Sequence, residues 1–227
     1  MVWFCVYEHA MVKEEGMSSE NKPSINLAPN GPYIVKGLTN LSSRNGQIET
    51  EETIALCRCG KSSNKPYCDG THAKISFSTE NTEQHLANKC DEYAGQHITI
   101  HDNRSICAHA GVCTDNLASV FRMKQEPWID PDAAGIDEII AVIKKCPSGA
   151  LSFTMENIDG PAPDPESAIF ISPNGPYVVS GCPDLVNTNW REGASKQQYT
   201  LCRCGASKNK PYCDGSHWSI EFTDDDN

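Results

Sequence analysis

The sequence lacks a hydrophobic run long enough for a membrane-spanning helix, and it has few aromatic and basic residues. Aromatic residues make up 7% and hydrophobic residues 38% of the 227 positions, which is little for one large core. The 19 basic side chains are outnumbered by 30 acidic ones, and the net charge is −11. Because positive charge holds nucleic acids and anionic membranes, we expect neither as a partner. The length and thin core favour two or three small units.

The sequence also lacks the signatures of common enzyme classes. It has no glycine-rich phosphate loop, no pair of acid/base carboxylates beside a nucleophile, and no flavin or nicotinamide fingerprint. We therefore expect a protein that is not an enzyme. The apolar start, Met1 to Tyr7, is short and has no basic segment before it, so it does not predict a signal peptide. We expect residues 1–24 to be a disordered extension and the protein to be cytoplasmic.

Cysteine, in contrast, is abundant, and half of it lies in a repeat. The chain has 12 cysteines, far more than a reduced protein needs for packing. Sixteen residues from Cys57 to His72 recur from Cys202 to His217, and thirteen of the sixteen pairs are identical. Each copy contains C-x-C followed, after eight residues, by C-x-x-x-H. Thiolates and an imidazole at such short spacing are typical ligands of a metal centre.

The spacing alone leaves alternatives open. Three cysteines and one histidine also form structural zinc sites, so zinc remains a candidate. Disulfides are disfavoured because C-x-C is too tight for an easy bridge and nothing indicates export.

The full motif is more specific, because both copies match C-x-C-x2-S-x3-P-x-C-D-G-[ST]-H at every fixed position. This pattern resembles the signature of the CDGSH iron–sulfur, or NEET-type, domains. The resemblance implies a 2Fe-2S cluster in each copy. In the first copy it places Cys57 and Cys59 on one iron and Cys68 and His72 on the other. In the second copy it places Cys202 and Cys204 on one iron and Cys213 and His217 on the other.

The repeat extends upstream of the cysteines and predicts two β-rich modules, at residues 25–80 and 169–223. The segment Pro29 to Tyr33 recurs from Pro173 to Tyr177, and each copy leads into a short extended run. Further short strands are predicted just before the ligands and, as a returning strand, just after them. Four stretches carry these predictions: 53–56, 198–201, 75–77 and 220–222. A unit of this size buries too little apolar surface alone, so we expect the cluster to staple it.

A different unit, residues 84–156, lies between the modules. Alternating apolar residues predict a strand at 96–101, and isoleucines at helical spacing from Ile136 to Ile143 predict a helix that ends at Cys146-Pro147. A second strand is predicted at 150–153. The fold class is therefore α+β, with a central α+β domain between two small modules.

The cysteines of this unit resemble those of divergent single-cluster ferredoxin-like domains. Cys146-Pro147-Ser148-Gly149-Ala150 resembles a ferredoxin last-ligand loop, and residues 106–113 resemble the C-x2-C-x2-C run with Ala110 in place of the middle cysteine. The resemblance implies one 4Fe-4S cluster on Cys107, Cys113 and Cys146. The fourth ligand is left open between Cys90, His109 and no ligand, the last giving a 3Fe-4S centre. Free buried thiols are the alternative to a cluster.

The remaining segments predict linkers and surface. Residues 157–168 are rich in proline and aspartate, and residues 78–84 are polar, so both are expected to be linkers that separate the units. The acidic run 224–226 is expected to be a solvated tail, and Trp190 and Trp218 are expected to be packing residues.

These observations together predict an iron–sulfur protein that acts in electron transfer. Cluster storage and transfer is the alternative, and a zinc-bound interaction module is a third possibility. The expected partner is a redox protein or an apo-acceptor of clusters. The two motif copies in one chain allow a monomer in which they pack as an internal pseudo-dimer.

Overall fold

The computed structural model describes residues 22–80, 89–155, 166–181, 183–188, 190, 193–224 and 227. The N-terminal extension up to residue 21, most of both expected linkers and two residues of the acidic run lie outside the described residues.

The described residues form a mixed α+β structure with many short strands and few helices. Twelve strands lie among them: β1 (Ser24–Leu27), β2 (Tyr33–Lys36), β3 (Leu41–Ser43), β4 (Gly46–Ile48), β5 (Thr53–Leu56), β6 (Cys90–Ala94), β7 (Thr99–Asn103), β8 (Leu151–Thr154), β9 (Ala168–Ile171), β10 (Tyr177–Ser180), β11 (Asp184–Val186) and β12 (Gln198–Leu201). The helices are α1 (Thr71–Lys74), α2 (Val112–Asn116), α3 (Ile136–Ile143) and α4 (Ser216–Ser219), with one 3₁₀ turn at Arg104–Ile106. The predicted fold class is confirmed.

The two repeat modules exchange strands. One sheet has the order β11-β1-β2-β5, so a strand of the second module completes the sheet of the first. The other sheet has the order β12-β10-β9-β3-β4, in which two strands of the first module extend the sheet of the second. Both exchanged pairings, β1 with β11 and β3 with β9, are parallel. The modules are therefore one interlocked unit and not two separate ones.

A single core lies between the exchanged sheets. Alternate side chains of each strand point into it, as the period of two along a strand requires. Its fully buried members come from both modules and include Ile25, Leu41, Ile169 and Val179. Sharing one core relieves the shortage of apolar surface that each 50-residue module would have alone.

The central domain has its own sheet and core. Strands β6, β7 and β8 form an antiparallel sheet, and Ile139, Val142 and Ile143 bury one face of α3 in its core. The N–H of Gly135 donates to the Glu138 carboxylate (3.2 Å) at the start of α3, and Lys144 follows its last residue. The predicted helix and second strand are confirmed, although α3 ends at Ile143 and turns lead on to Cys146. The first predicted strand begins later, because Gly95 to Ile98 forms a turn.

The predicted returning strands at 75–77 and 220–222 are wrong. After α1, Ser76 adopts a left-handed conformation (φ 51°), and Phe77 N–H donates to His72 C=O (3.0 Å). Glu221 (φ 51°) and Phe222, which bonds back to His217 C=O (3.0 Å), repeat this arrangement after α4. It is a Schellman motif, whose closing apolar residue gives three residues the same alternation as a strand.

Candidate metal centres

The first candidate site lies where β5 ends. Cys57 N–H donates to Pro66 C=O (2.7 Å), and Cys68 N–H donates to Ala55 C=O (2.8 Å), so the returning loop is tied to the strand beside the ligands. His72 follows from α1, which begins after Gly70 in a left-handed conformation (φ 85°). The elements thereby bring all three cysteines and the histidine of the motif together.

The four donors approach one another in two pairs. The sulfur atoms of Cys57 and Cys59 are 3.8 Å apart, and Cys68 Sγ lies 3.3 Å from His72 Nδ1. Two thiolates about 2.3 Å from one tetrahedral metal ion are separated by about 3.8 Å, and a thiolate and an imidazole by about 3.6 Å. Each pair therefore has the spacing of two ligands on one ion. Among the described residues no three His, Cys, Asp or Glu side chains converge around a single ion position.

The second candidate site repeats this geometry in a more enclosed setting. Cys202 and Cys204 sulfurs are 3.8 Å apart, and Cys213 Sγ lies 3.4 Å from His217 Nδ1. Cys213 and His217 are buried, at 3% and 4% exposure, whereas Cys68 and His72 are only half-buried. The two donor sets are chemically equal, but water reaches the first more easily.

Each module clamps, through a tyrosine hydroxyl, the loop of the other module that carries the candidate ligands, here called its cluster loop. Tyr33 donates its hydroxyl to Cys202 C=O (3.0 Å) and Pro211 C=O (3.2 Å). Tyr177 donates to Cys57 C=O (2.9 Å) and to the matching proline carbonyl, 3.2 Å away. The two rings meet edge to face, 6.0 Å apart. These tyrosines were not among the predicted site residues, although their place in the repeated Pro-Asn-Gly-Pro-Tyr segment was a signal that could have found them.

The two cluster loops also touch directly. A methyl group built on Gly60 would lie 2.4 Å from the carbonyl oxygen of Cys204, and one on Gly205 would lie 2.6 Å from that of Cys59. Both glycines have positive φ, 73° and 81°. Only glycine satisfies the close approach and the backbone angle together.

Burial and hydrogen bonding shift the pKa values of the motif thiols. Burial raises the pKa of Cys59 to about 11 and that of Cys213 to about 12. Cys202 and Cys204 share a hydrogen bond, which raises the pKa of Cys202 and lowers that of Cys204. Burial lowers the pKa of His217, which favours the neutral imidazole that binds metals. A buried thiolate needs positive charge beside it, which a metal ion held by these residues would supply.

The central cysteines line one cavity. Cys107, Cys113 and Cys146 are among its walls, together with His109 and Ala110, and its volume is about 740 Å³. The structure thus brings together the three cysteines that the resemblance to ferredoxin-like domains singled out. Cys90 does not line the cavity. Lys89, Asp91 and Tyr93, which alternate with Cys90 along its segment, do line it. Strand alternation therefore directs Cys90 away from the cavity.

The charge around this cavity suits a cluster. Burial raises the pKa of Cys107, and it raises that of Cys113 to about 11. The Arg104 guanidinium lies within 3.9 Å of Cys107 Sγ and over the Trp128 ring, 4.0 Å from its centroid. His109 N–H also points to Cys107 Sγ (3.4 Å). These donors would hold negative charge on sulfur, as iron–sulfur sites require.

The central domain packs against the second site, contrary to the expectation of units kept apart by linkers. Asn209 donates its side-chain amide to Ser105 C=O (2.9 Å), and Gln198 donates its own to Cys146 C=O (3.0 Å). His109 lies over Gly215: a methyl group there would be 3.1 Å from its Cβ and Cδ2. The central domain thus covers part of the second site, which is the more buried of the two.

A buried ion pair next to the second site was also missed. Arg203 (0% side-chain exposure) pairs with Asp224 (2%) and donates to Gly175 C=O (2.9 Å) and Ser172 C=O (2.9 Å). The expectation of a solvated tail is therefore wrong at Asp224, because an arginine inside the motif attracts it. Trp190 does pack, against Tyr199 at 5.1 Å, but Trp218 is 64% exposed.

Comparison with known families places these sites. A model described as "Iron-binding zinc finger CDGSH type" matches residues 30–73 and 174–218, and one described as "Divergent 4Fe-4S mono-cluster" matches residues 93–156. The chain belongs to the CDGSH iron-binding family, with a divergent 4Fe-4S domain between its two CDGSH segments. The matched segments contain the eight predicted CDGSH ligands and the three central cysteines.

Two curated relatives are similar to part of the chain. Both are named "Uncharacterized protein YjdI", one from Escherichia coli K12 and one from E. coli O157:H7. Each is 39% identical over 61 residues, which is 27% of this chain and 80% of the relative. No solved structure matches the chain. Within the residues that the structure describes, no helix has both the length and the apolar character to cross a membrane.

Proposed function

We propose that this CDGSH protein transfers single electrons through three iron–sulfur centres. Two 2Fe-2S clusters would be held by the two CDGSH ligand sets, and one 4Fe-4S or 3Fe-4S cluster by Cys107, Cys113 and Cys146. The observation that carries the proposal is the arrangement of the donor sets: the loops of two of them touch at Gly60 and Gly205, and the third packs against one of them. Such clusters supply reversible one-electron chemistry.

The protein residues hold the centres and tune them. Tyr33 and Tyr177 fix the ligand loops, Gly60 and Gly205 bring the two loops into contact, and Arg104 places positive charge beside a central sulfur. The structure supplies hydrogen bonding and burial, two of the factors that set iron–sulfur potentials. The partner in this proposal is a redox protein, and the chain is not itself an enzyme.

Cluster storage and transfer is the second candidate, and the exposure of the first site favours it. Cys68 and His72 are only half-buried, so an apo-acceptor could approach the iron that they hold. A histidine ligand can be protonated and released more easily than a buried thiolate. A zinc-bound module is disfavoured because the donors fall into two pairs, as on two ions.

The test is the iron content and spectrum of protein purified without oxygen. Two 2Fe-2S clusters and one 4Fe-4S cluster give about eight irons per chain, or about seven with a three-iron centre. Cys146→Ser should remove the irons above four, and Cys90→Ser, its control outside the cavity, should not. Reversible reduction supports electron transfer; loss of iron and sulfide to an apo-acceptor without it supports cluster transfer. A colourless zinc protein would contradict both.

A further inference from the structure

The central domain reaches only one of the two CDGSH motifs at the glycine of Cys-Asp-Gly. In the second motif this glycine, Gly215, lies under His109, whereas a methyl group on its counterpart Gly70 would meet none of the described residues within 4 Å. The two glycines have nearly equal φ, 83° and 85°. The sequence repeat is therefore symmetric here, and the contact is not.

The contact lies on a short path between two candidate ligands. Cys107 Sγ accepts from His109 N–H (3.4 Å), the His109 side chain covers Gly215, and Gly215 N–H donates to Cys213 Sγ (3.5 Å). The path thus runs from the sulfur of Cys107 to the sulfur of Cys213 through His109 and Gly215, with a hydrogen bond at each end.

We propose that His109 and Gly215 form the contact through which the central cysteine site and the second CDGSH site exchange an electron, and that the first CDGSH site is the end that faces solvent. This inference rests on the proposed function. In the exchange one electron would leave an iron held by Cys107, which would be oxidised, and would reduce an iron held by Cys213. No bond forms or breaks and no proton moves. The electron enters the chain from an external one-electron reductant.

Other residues keep the two sites in this position. Asn209, 1% exposed, holds Ser105 C=O, two residues before Cys107. Gln198 holds the carbonyl of Cys146, another cavity cysteine. Both act as positioning residues, because they contact the backbone of the central loops and not the candidate ligand sulfurs. In the first motif the counterpart of Asn209 is Asn64, which is exposed.

The experiment compares Gly215→Ala with Gly70→Ala in full-length protein prepared without oxygen. Both changes impose the same backbone strain, since both positions have positive φ, but only the first places a methyl group 3.1 Å from His109, so that the imidazole must give way slightly. The protein is partly reduced with dithionite, and rapid-freeze EPR follows how electrons redistribute and whether the two reduced centres broaden each other's signals. We expect slower redistribution and weaker broadening in Gly215→Ala, with Gly70→Ala like the parent and iron content unchanged in both.

A second pair avoids backbone strain, in case Gly215→Ala does not fold. Asn209→Ala should loosen the same contact and slow redistribution, and Asn64→Ala should not. Equal redistribution and broadening in both members of a pair would overturn the proposed path while leaving electron transfer intact. A parent protein that carries its clusters but cannot be reduced reversibly would overturn the proposed function itself, and the path with it.

Discussion

The two CDGSH sites have thirteen identical residues out of sixteen and the same donor distances, yet one is half-open and the other is closed. The difference comes from outside the motif. His109 of the central domain lies over Gly215, and Asp224 pairs with the arginine inside the second motif. A ligand motif therefore determines which atoms hold the metal, while the surroundings determine access to it.

The arginines show this most sharply. Arg203 has a carboxylate and two carbonyls as partners, whereas Arg58 is buried and its Nε has no hydrogen-bond partner among the described residues. The counterpart of Asp224 in the first module is Thr79. Both N–H groups donate to the matching asparagine, but the Thr79 side chain bonds to that asparagine as well and does not pair with the arginine. Four comparisons between the sites follow from these contacts.

The largest effect is expected from Asp224→Ala. Removing one partner of a buried ion pair leaves the other charge uncompensated and costs about 3–5 kcal/mol. Urea unfolding of the anaerobic protein should show this loss of stability, and Thr79→Ala, the matched control, should cost no more than about 1 kcal/mol. Equal losses would mean that the ion pair does not distinguish the two modules.

The tyrosine clamps should act crosswise. Tyr33→Phe removes the hydroxyl donor from the buried carbonyl of Cys202 in the second site, and Tyr177→Phe removes it from that of Cys57 in the first, each at a cost of about 1–3 kcal/mol. The matching proline carbonyls keep the N–H groups of these two cysteines as donors. Iron release to a chelator, followed by the spectrum of each centre, should accelerate at the site opposite the mutation. Acceleration at the mutated module's own site would contradict the clamp.

The repeat explains why much of this arrangement was predictable. Local patterns predict local structure, so Thr53–Leu56 and Gln198–Leu201 were correctly predicted as strands. The motif cysteines and histidines were expected to lie close together, and they do. Strand exchange was not predictable, because β3 can pair with β9 only through three dimensions and nothing in Leu41–Ser43 specifies its partner. The same holds for Asp224, whose acidic neighbours resemble any solvated tail.

The central site was predictable in its cysteines and not in its surroundings. The spacing of Cys107, Cys113 and Cys146 resembles that of a known family, and the cavity contains all three. Their contact with the second module is made by the carbonyls of Ser105 and Cys146 and by the side chain of His109. No sequence pattern indicates these contacts. The fourth ligand stays a prediction.

The two centres should bleach at different pH values as the protein is acidified. His217 is buried and its pKa is lowered, so protonating it costs more in the folded protein than in the unfolded chain. Its contribution to stability is complete above the ordinary histidine pKa near 6.5 and is lost as the pH falls toward the lowered value. His72 is reached by water, so we expect the first centre to bleach at a higher pH than the second. Absorption spectra along an acid titration test this order, and His72→Cys should remove the early phase.

The smallest effect is expected from Trp218, the aromatic residue that the second module has where the first has Ala73. Its ring lies 5.1 Å from the His217 ring, but it is 64% exposed. A side chain so exposed covers only one edge of the histidine, and its removal should change stability by no more than about 0.5 kcal/mol. Trp218→Ala should therefore leave the second centre more acid-resistant than the first, and Ala73→Trp should not protect the first. If Trp218→Ala instead made the two centres bleach together, this tryptophan, and not the central domain, would be the cover of the second site.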